Sequence, residues 1–242
     1  MIKILAIGNS FSEDATRYLY EIAKKDGTSM KVVNLYIAGC SLHHHYINAL
    51  EDQKSYLIMF NGYDTGFYTS IKEALMSDDW DVVTLQQASR YSGNYETYQP
   101  YLRYLAEQIH IHSPKSKIYI HQTWSYEADS EKLKGIGYAT PTQMLKDIRA
   151  SYSIAKGDIS ADGLIPSGEL MAALVENGIE KVHRDTYHAS KGIGRYALAL
   201  LWYRIFSEKE VLHDTFHHFD EEITEKDLQI IRETVHRLTI TI

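Results

Sequence analysis

Short apolar runs alternate along this chain with longer stretches whose apolar residues recur every three or four positions, a pattern that predicts strands joined by helices. Ile2-Lys3-Ile4-Leu5-Ala6-Ile7 is the first run and reads as a buried strand ending at Gly8. Ser12-Glu13-Asp14 then opens a helix to about Lys25, with acidic residues in the first turn, where the helix dipole favours them. Lys31 to Ile37 is a second strand, stopping at Ala38-Gly39. Val82 to Leu85, behind Trp80-Asp81, is a third; Lys117 to His121 is a fourth; Gly163-Leu164-Ile165 is a short fifth. Helical spacing covers about 97–112, 142–156, 189–206 and 224–237, and another helix begins near Ser167-Gly168-Glu169.

Strands alternating with helices imply a mostly parallel sheet covered on both faces, hence a three-layer α/β/α sandwich of about five strands. Ligands of such sheets sit beyond the carboxyl ends of the strands. Ser10, Gly39, Gln86 and Gln87 all fall at or just past a strand end, which puts them on one edge. Residues 40–80 break the rhythm: the stretch is too long and too aromatic for a simple crossover. A helix and a hairpin-like excursion are expected there, forming a lid over the site.

One order of residues carries chemistry. Ser10 ends the first apolar run, and Asp185-Thr186-Tyr187-His188 lies in the last quarter of the chain. A hydroxyl is a weak nucleophile at neutral pH and needs an imidazole to take its proton. The imidazole needs a carboxylate to fix its tautomer and stabilise its charged form. Each residue also has a structural alternative: Ser10 with Glu13, or Ser12 alone, fits a helix cap, and Asp185 alone would be a loop carboxylate. Their joint occurrence, in this order and at strand ends, points to a triad.

Composition narrows the function. The formal net charge of −7 argues against nucleic acid or an anionic membrane surface as partner. Cys40 is the only cysteine, so no internal disulfide forms. No run approaches the roughly 20 apolar residues of a membrane span. No internal repeat or linker interrupts the sequence, so one domain over 1–242 is expected. Met1 leads directly into the first strand with no signal-peptide-like stretch, so a cytoplasmic location is expected. His43, His44 and His45 suggest a metal, but consecutive residues point in different directions and no matching carboxylate or cysteine set stands nearby; no metal is expected.

The motifs resemble those of the SGNH (GDSL-type) serine hydrolase superfamily, in a bacterial branch catalogued as a domain of unknown function. The first motif is matched by Gly8-Asn9-Ser10-Phe11-Ser12 and the second by Gly39. The last is matched by Asp185, His188, Ser190, Gly192 and Gly194. The resemblance implies a flavodoxin-like fold, a Ser10–His188–Asp185 triad, and an oxyanion hole from the N–H groups of Ser10 and Gly39. The third motif departs from the family pattern. Where an asparagine is usual, the strand runs into Gln86-Gln87-Ala88-Ser89, so Gln87 is expected to complete the oxyanion hole, with Gln86 as the alternative.

The implied activity is hydrolysis of small acyl esters, acetyl above all, on a small-molecule or oligosaccharide substrate, with no cofactor. Trp124, Tyr126, Tyr63 and Phe67 are the expected sugar-stacking residues. A lipase or thioesterase on the same triad and a non-catalytic carbohydrate-binding protein are the alternatives.

Overall fold

The apolar runs pair into one sheet. The computed structural model describes residues 1–240 and contains β1 (Ile2–Gly8), β2 (Met30–Tyr36), β3 (Tyr56–Phe60), β4 (Tyr63–Thr69), β5 (Val82–Leu85), β6 (Lys117–His121) and β7 (Gly163–Ile165). Their order is β4-β3-β2-β1-β5-β6-β7. The five strands read from the sequence are mutually parallel. Leaving the hairpin aside, the order reverses at β1, whose neighbours are β2 and β5; that switch point opens a crevice beyond their carboxyl ends.

The sheet has seven strands rather than about five because the 40–80 excursion joins it. β3 pairs antiparallel with β2, and β4 pairs antiparallel with β3. Asn61 and Gly62 make the turn with φ of 51° and 87°, the backbone that an Asn-Gly hairpin turn requires. This pairing corrects the expectation of a lid: the hairpin extends the sheet sideways and does not fold over the strand ends. Tyr63 and Phe67 are left 53% and 72% exposed on its edge, with Tyr63 beneath the Arg17 guanidinium.

The helices are α1 (Ser10–Thr16), α2 (Leu19–Lys25), α3 (Leu42–Leu50), α4 (Ile71–Met76), α5 (Tyr101–His112), α6 (Glu131–Gly135), α7 (Pro141–Asp158), α8 (Ser167–Glu176), α9 (Ile193–Ser207) and α10 (Glu225–Arg237). The single helix expected to Lys25 is divided at Arg17-Tyr18. The Thr16 hydroxyl bonds back to the Ser12 carbonyl at 2.8 Å, a contact that bends helices. α9 packs against α1, α2, α8 and α10. Nearly every residue from Gly194 to Tyr203 is buried, which explains why α9 lacks a polar stripe. On the other side of the molecule α5 packs on α3 and α4. No helix among the described residues is long and apolar enough to cross a membrane.

Candidate active site

The chain leaves β1 and turns at once into α1. Ser10 is the first helical residue, so its N–H has no intrahelical acceptor. The cap is Asn9, not either serine: its Oδ1 accepts the Phe11 N–H at 3.0 Å and Gln86 Nε2 at 2.7 Å. Asn9 Nδ2 donates to the Cys40 carbonyl at 2.9 Å, tying the end of β1 to the loop after β2. Ser12 is 1% exposed, with its hydroxyl 2.9 Å from the Asn9 carbonyl and 2.7 Å from Asn34 Oδ1. Ser10 is half-buried at the cavity, and its Oγ stands 2.8 Å from His188 Nε2.

His188 is held from several sides. Its Nδ1 lies 2.8 Å from Asp185 Oδ2, and its backbone N–H donates to Asp185 Oδ1 at 2.9 Å. Burial raises the Asp185 carboxyl, but the hydrogen bonds from His188 outweigh it and hold the carboxyl below its ordinary value. Between them Thr186 takes a φ of 71°, a left-handed conformation that a β-branched residue rarely adopts. The segment after β6 fixes it there. The Glu127 N–H donates to the Thr186 carbonyl at 2.8 Å, and the Thr186 hydroxyl reaches Ser130 Oγ at 2.8 Å. Trp124 Nε1 donates to the Tyr187 carbonyl at 2.8 Å. Gly194 lets α9 approach this loop, since a Cβ there would meet the Val182 carbonyl at 2.7 Å.

Ser10 and His188 open into a cavity of about 570 Å³ at the switch point, whose walls include Gly39, Ala88, Ser89 and Tyr126. Gly39 has a φ of 61°, which glycine adopts without strain, and its N–H has no partner among the described residues. Glu13 also faces the cavity. Burial and the neighbouring Asp14 raise its carboxyl above the ordinary range, against the pull of Arg195 and Arg184.

The family described as Domain of unknown function (DUF4886) matches residues 3–238. The chain belongs to that family. A DUF4886 family protein from Bacteroides uniformis is 30% identical, with a TM-score of 0.88 over 97% of this chain and 93% of that one. More distant structures share the fold alone. A protein from Parabacteroides merdae described as a GDSL-like lipase has 16% identity and a TM-score of 0.57, over 86% of this chain and 96% of that one. The Clostridium thermocellum family 3 carbohydrate esterase has 17% identity and a TM-score of 0.51, over 84% and 94%. No curated protein matches the sequence.

In this DUF4886 chain several expected site residues lie elsewhere. Gln87 is not in the cavity with Ser10: its Nε2 donates to the Thr97 carbonyl at 3.0 Å, and its Oε1 accepts from the N–H groups of Leu42 and Ala88. Gln86 is committed too, with Nε2 on Asn9 and Oε1 2.9 Å from His121 Nδ1. Both carboxamides therefore brace loops, and neither lines the cavity that holds Ser10. Trp124 is fully buried and stacks on Phe11 at 4.0 Å, so it supports the His188 loop from beneath and offers no face to a sugar. Tyr126 does line the cavity, its hydroxyl 2.7 Å from Ser89 Oγ. Tyr63 and Phe67 stand on the outer hairpin, away from it.

The segment that does border the cavity is the one containing α6, through Lys132, Gly135 and Ile136. Sequence reasoning missed it, together with Arg90, Arg184 and Tyr187. The available signal was the long, glycine-containing connection from β6 to α7, of the kind that covers sites in α/β proteins. Of the histidine run, His45 points inward, its Nδ1 2.9 Å from the Tyr56 hydroxyl, while His43 lies against Tyr101.

Proposed function

We propose that this protein is a serine esterase that removes short acyl groups, acetyl above all, from carbohydrate esters. The observation that carries the reading is the continuous line from Ser10 Oγ to His188 Nε2 at 2.8 Å and from His188 Nδ1 to Asp185 at 2.8 Å, opening on a cavity at the switch point. His188 takes the Ser10 proton as Oγ attacks the ester carbonyl, and the oxyanion forms against the N–H groups of Ser10 and Gly39. The imidazolium, steadied by Asp185, returns the proton to the leaving alcohol. It then takes a proton from the water that cleaves the acyl-enzyme. This cycle supplies its own base and requires no cofactor.

The preference for a short acyl group rests on the cavity wall. Ala38, Gly39, Ala88 and Ser89 line it, and among the described residues Ile136 is its one aliphatic side chain larger than alanine, too little for a fatty-chain channel. A channel for a fatty chain would add about 0.8 kcal/mol of binding per buried methylene, so a lipase gains steadily with chain length. Here kcat/KM on 4-nitrophenyl esters is expected to fall beyond acetate or propionate. A maximum at octanoate would reject the reading. The carbohydrate side of the proposal draws on the fold shared with the Clostridium thermocellum carbohydrate esterase.

A fluorophosphonate probe is expected to label Ser10 and leave Ser12 untouched, because Ser12 is buried and has no base beside it. Peptide mass spectrometry reads this directly. An adduct on Ser12, or on neither serine, would remove the nucleophile from the proposal.

A further inference from the structure

The cavity at Ser10 is cationic in a chain whose formal net charge is −7. Arg90, Lys132 and Arg184 line it, against one carboxylate, Glu13. What each cation is already bonded to decides what it is available for. Arg184 Nη1 is committed to Asp14, at 2.9 Å from both carboxylate oxygens, and to the Ala189 carbonyl. Asp14 is shared with Arg195, Arg195 with Asp220, and Asp220 with Arg17. This alternating row therefore begins and ends on a guanidinium, and its cavity end is Arg184.

Arg90 and Lys132 differ from Arg184. Neither has a carboxylate partner among the described residues, and each rests on an aromatic ring instead. Lys132 Nζ lies 3.5 Å from the centre of the Tyr187 ring, which lies tilted by 37° against the His188 imidazole at 3.9 Å. Tyr187 meets Tyr126 edge-on at 5.4 Å, and Arg90, seated over the Tyr91 ring at 4.7 Å, lines the same cavity as Tyr126. Lys132 thus covers the tyrosine that lies against the imidazole, and Arg90 faces the same cavity. A ring holds a cation in place without neutralising it, so both charges stay available to an incoming anion. His188 hands its proton to the leaving group, so what sits beside its ring is the alcohol half of the ester.

We infer that the alcohol half of the substrate is anionic, a sugar bearing a carboxylate or a phosphate, gripped by Lys132 and Arg90 over Tyr126 and Tyr187 while its acyl ester lies at Ser10. This deepens the esterase reading and rests on it for the reaction; the anion site itself stands on the charges.

The deciding comparison uses matched pairs: acetylated galacturonic acid against its neutral methyl ester, and acetylated glucose 6-phosphate against acetylated glucose. kcat/KM is expected to favour at least one acidic member by about tenfold, mostly through KM, with the favoured pair naming carboxylate or phosphate. The preference should shrink in 0.5 M salt, as screened charges require, and fall to about twofold or less in the Arg90→Gln, Lys132→Gln double variant. Equal turnover of both members in both pairs, or a preference that survives the double substitution, overturns the proposal.

If no ester is hydrolysed and the fluorophosphonate labels nothing, the esterase reading fails, and calorimetry on Ser10→Ala protein decides the anion site alone. Galacturonate or inorganic phosphate should then bind where galactose does not, and the double variant should lose that binding. No binding of either anion would reject the site.

Discussion

Ser10→Ala and His188→Ala are each expected to lower turnover by about 10⁴-fold or more, since members of such a relay act as one unit. Ser10 Oγ has no other base within reach, and His188 is the group that must both take and return its proton. Asp185→Ala should cost less than either, because it removes the orienting group and leaves nucleophile and base in place. Asp185 makes two bonds to His188, one to the ring and one to the backbone N–H, so its loss should also loosen the loop that presents the imidazole. Thermal melts of the three variants separate lost chemistry from lost folding. The control is His183→Ala. His183 lies near His188 in sequence but is 6% exposed and lines a different cavity, so most activity should remain. Activity that survives His188→Ala and vanishes with His183→Ala would reassign the base.

The five parallel strands were legible because each is an apolar run with a turn signal at its end, and β1 to Gly8 is the clearest. From there, Ser10, Gly39 and the loop after β5 were bound to share an edge by the topology of parallel sheets. The hairpin was legible as a hairpin from Asn61-Gly62, but not its destination. A strand pair with the alternation of Tyr63–Thr69 says which residues share a face, while only its pairing with β2 says whether it roofs the site or widens the sheet.

Gln87 shows a second limit. A carboxamide one methylene longer than asparagine can reach an oxyanion, yet it can equally reach backbone groups, and Gln87 reaches Leu42, Ala88 and Thr97. Spacing along a strand does not choose between these partners. Trp124 is the same case: an aromatic past a strand end lies either in the site or under it, and the Phe11 ring took one of its faces. The cations of the cavity were invisible for a different reason. Arg90, Lys132 and Arg184 come from three distant segments, and only folding shows that two of them lack carboxylate partners.

Acidification below pH 6.5 is expected to destabilise the protein, because three imidazoles are buried neutral. Burial lowers the His45 and His121 rings to about 3 and the His183 ring to about 4. In the unfolded chain the same rings take a proton near pH 6.5. Above that pH neither state binds the proton, and the histidines contribute no slope. Below it the unfolded state binds protons that the folded state refuses, so stability falls as pH falls, by about 1.4 kcal/mol per unit for each ring. By pH 5 the three together remove about 6 kcal/mol, comparable to the whole stability of an ordinary domain. His121 links this to the site. Its Nδ1 donates to Gln86, Gln86 donates to Asn9, and Asn9 caps the helix that begins at Ser10. Urea midpoints should therefore be flat from pH 8 to 7 and drop steeply from 6.5 to 5. Glu13 and Asp14, raised by burial, act in the opposite sense, so the cleanest measure is a difference between variants. His45→Phe keeps a ring stacked on Tyr56 and removes one titrating group. Whatever it does to stability at pH 8, its slope below 6.5 should be shallower than that of the unaltered protein by about 1.4 kcal/mol per pH unit. An unchanged slope would mean that His45 binds its proton in the folded state as readily as in the unfolded one.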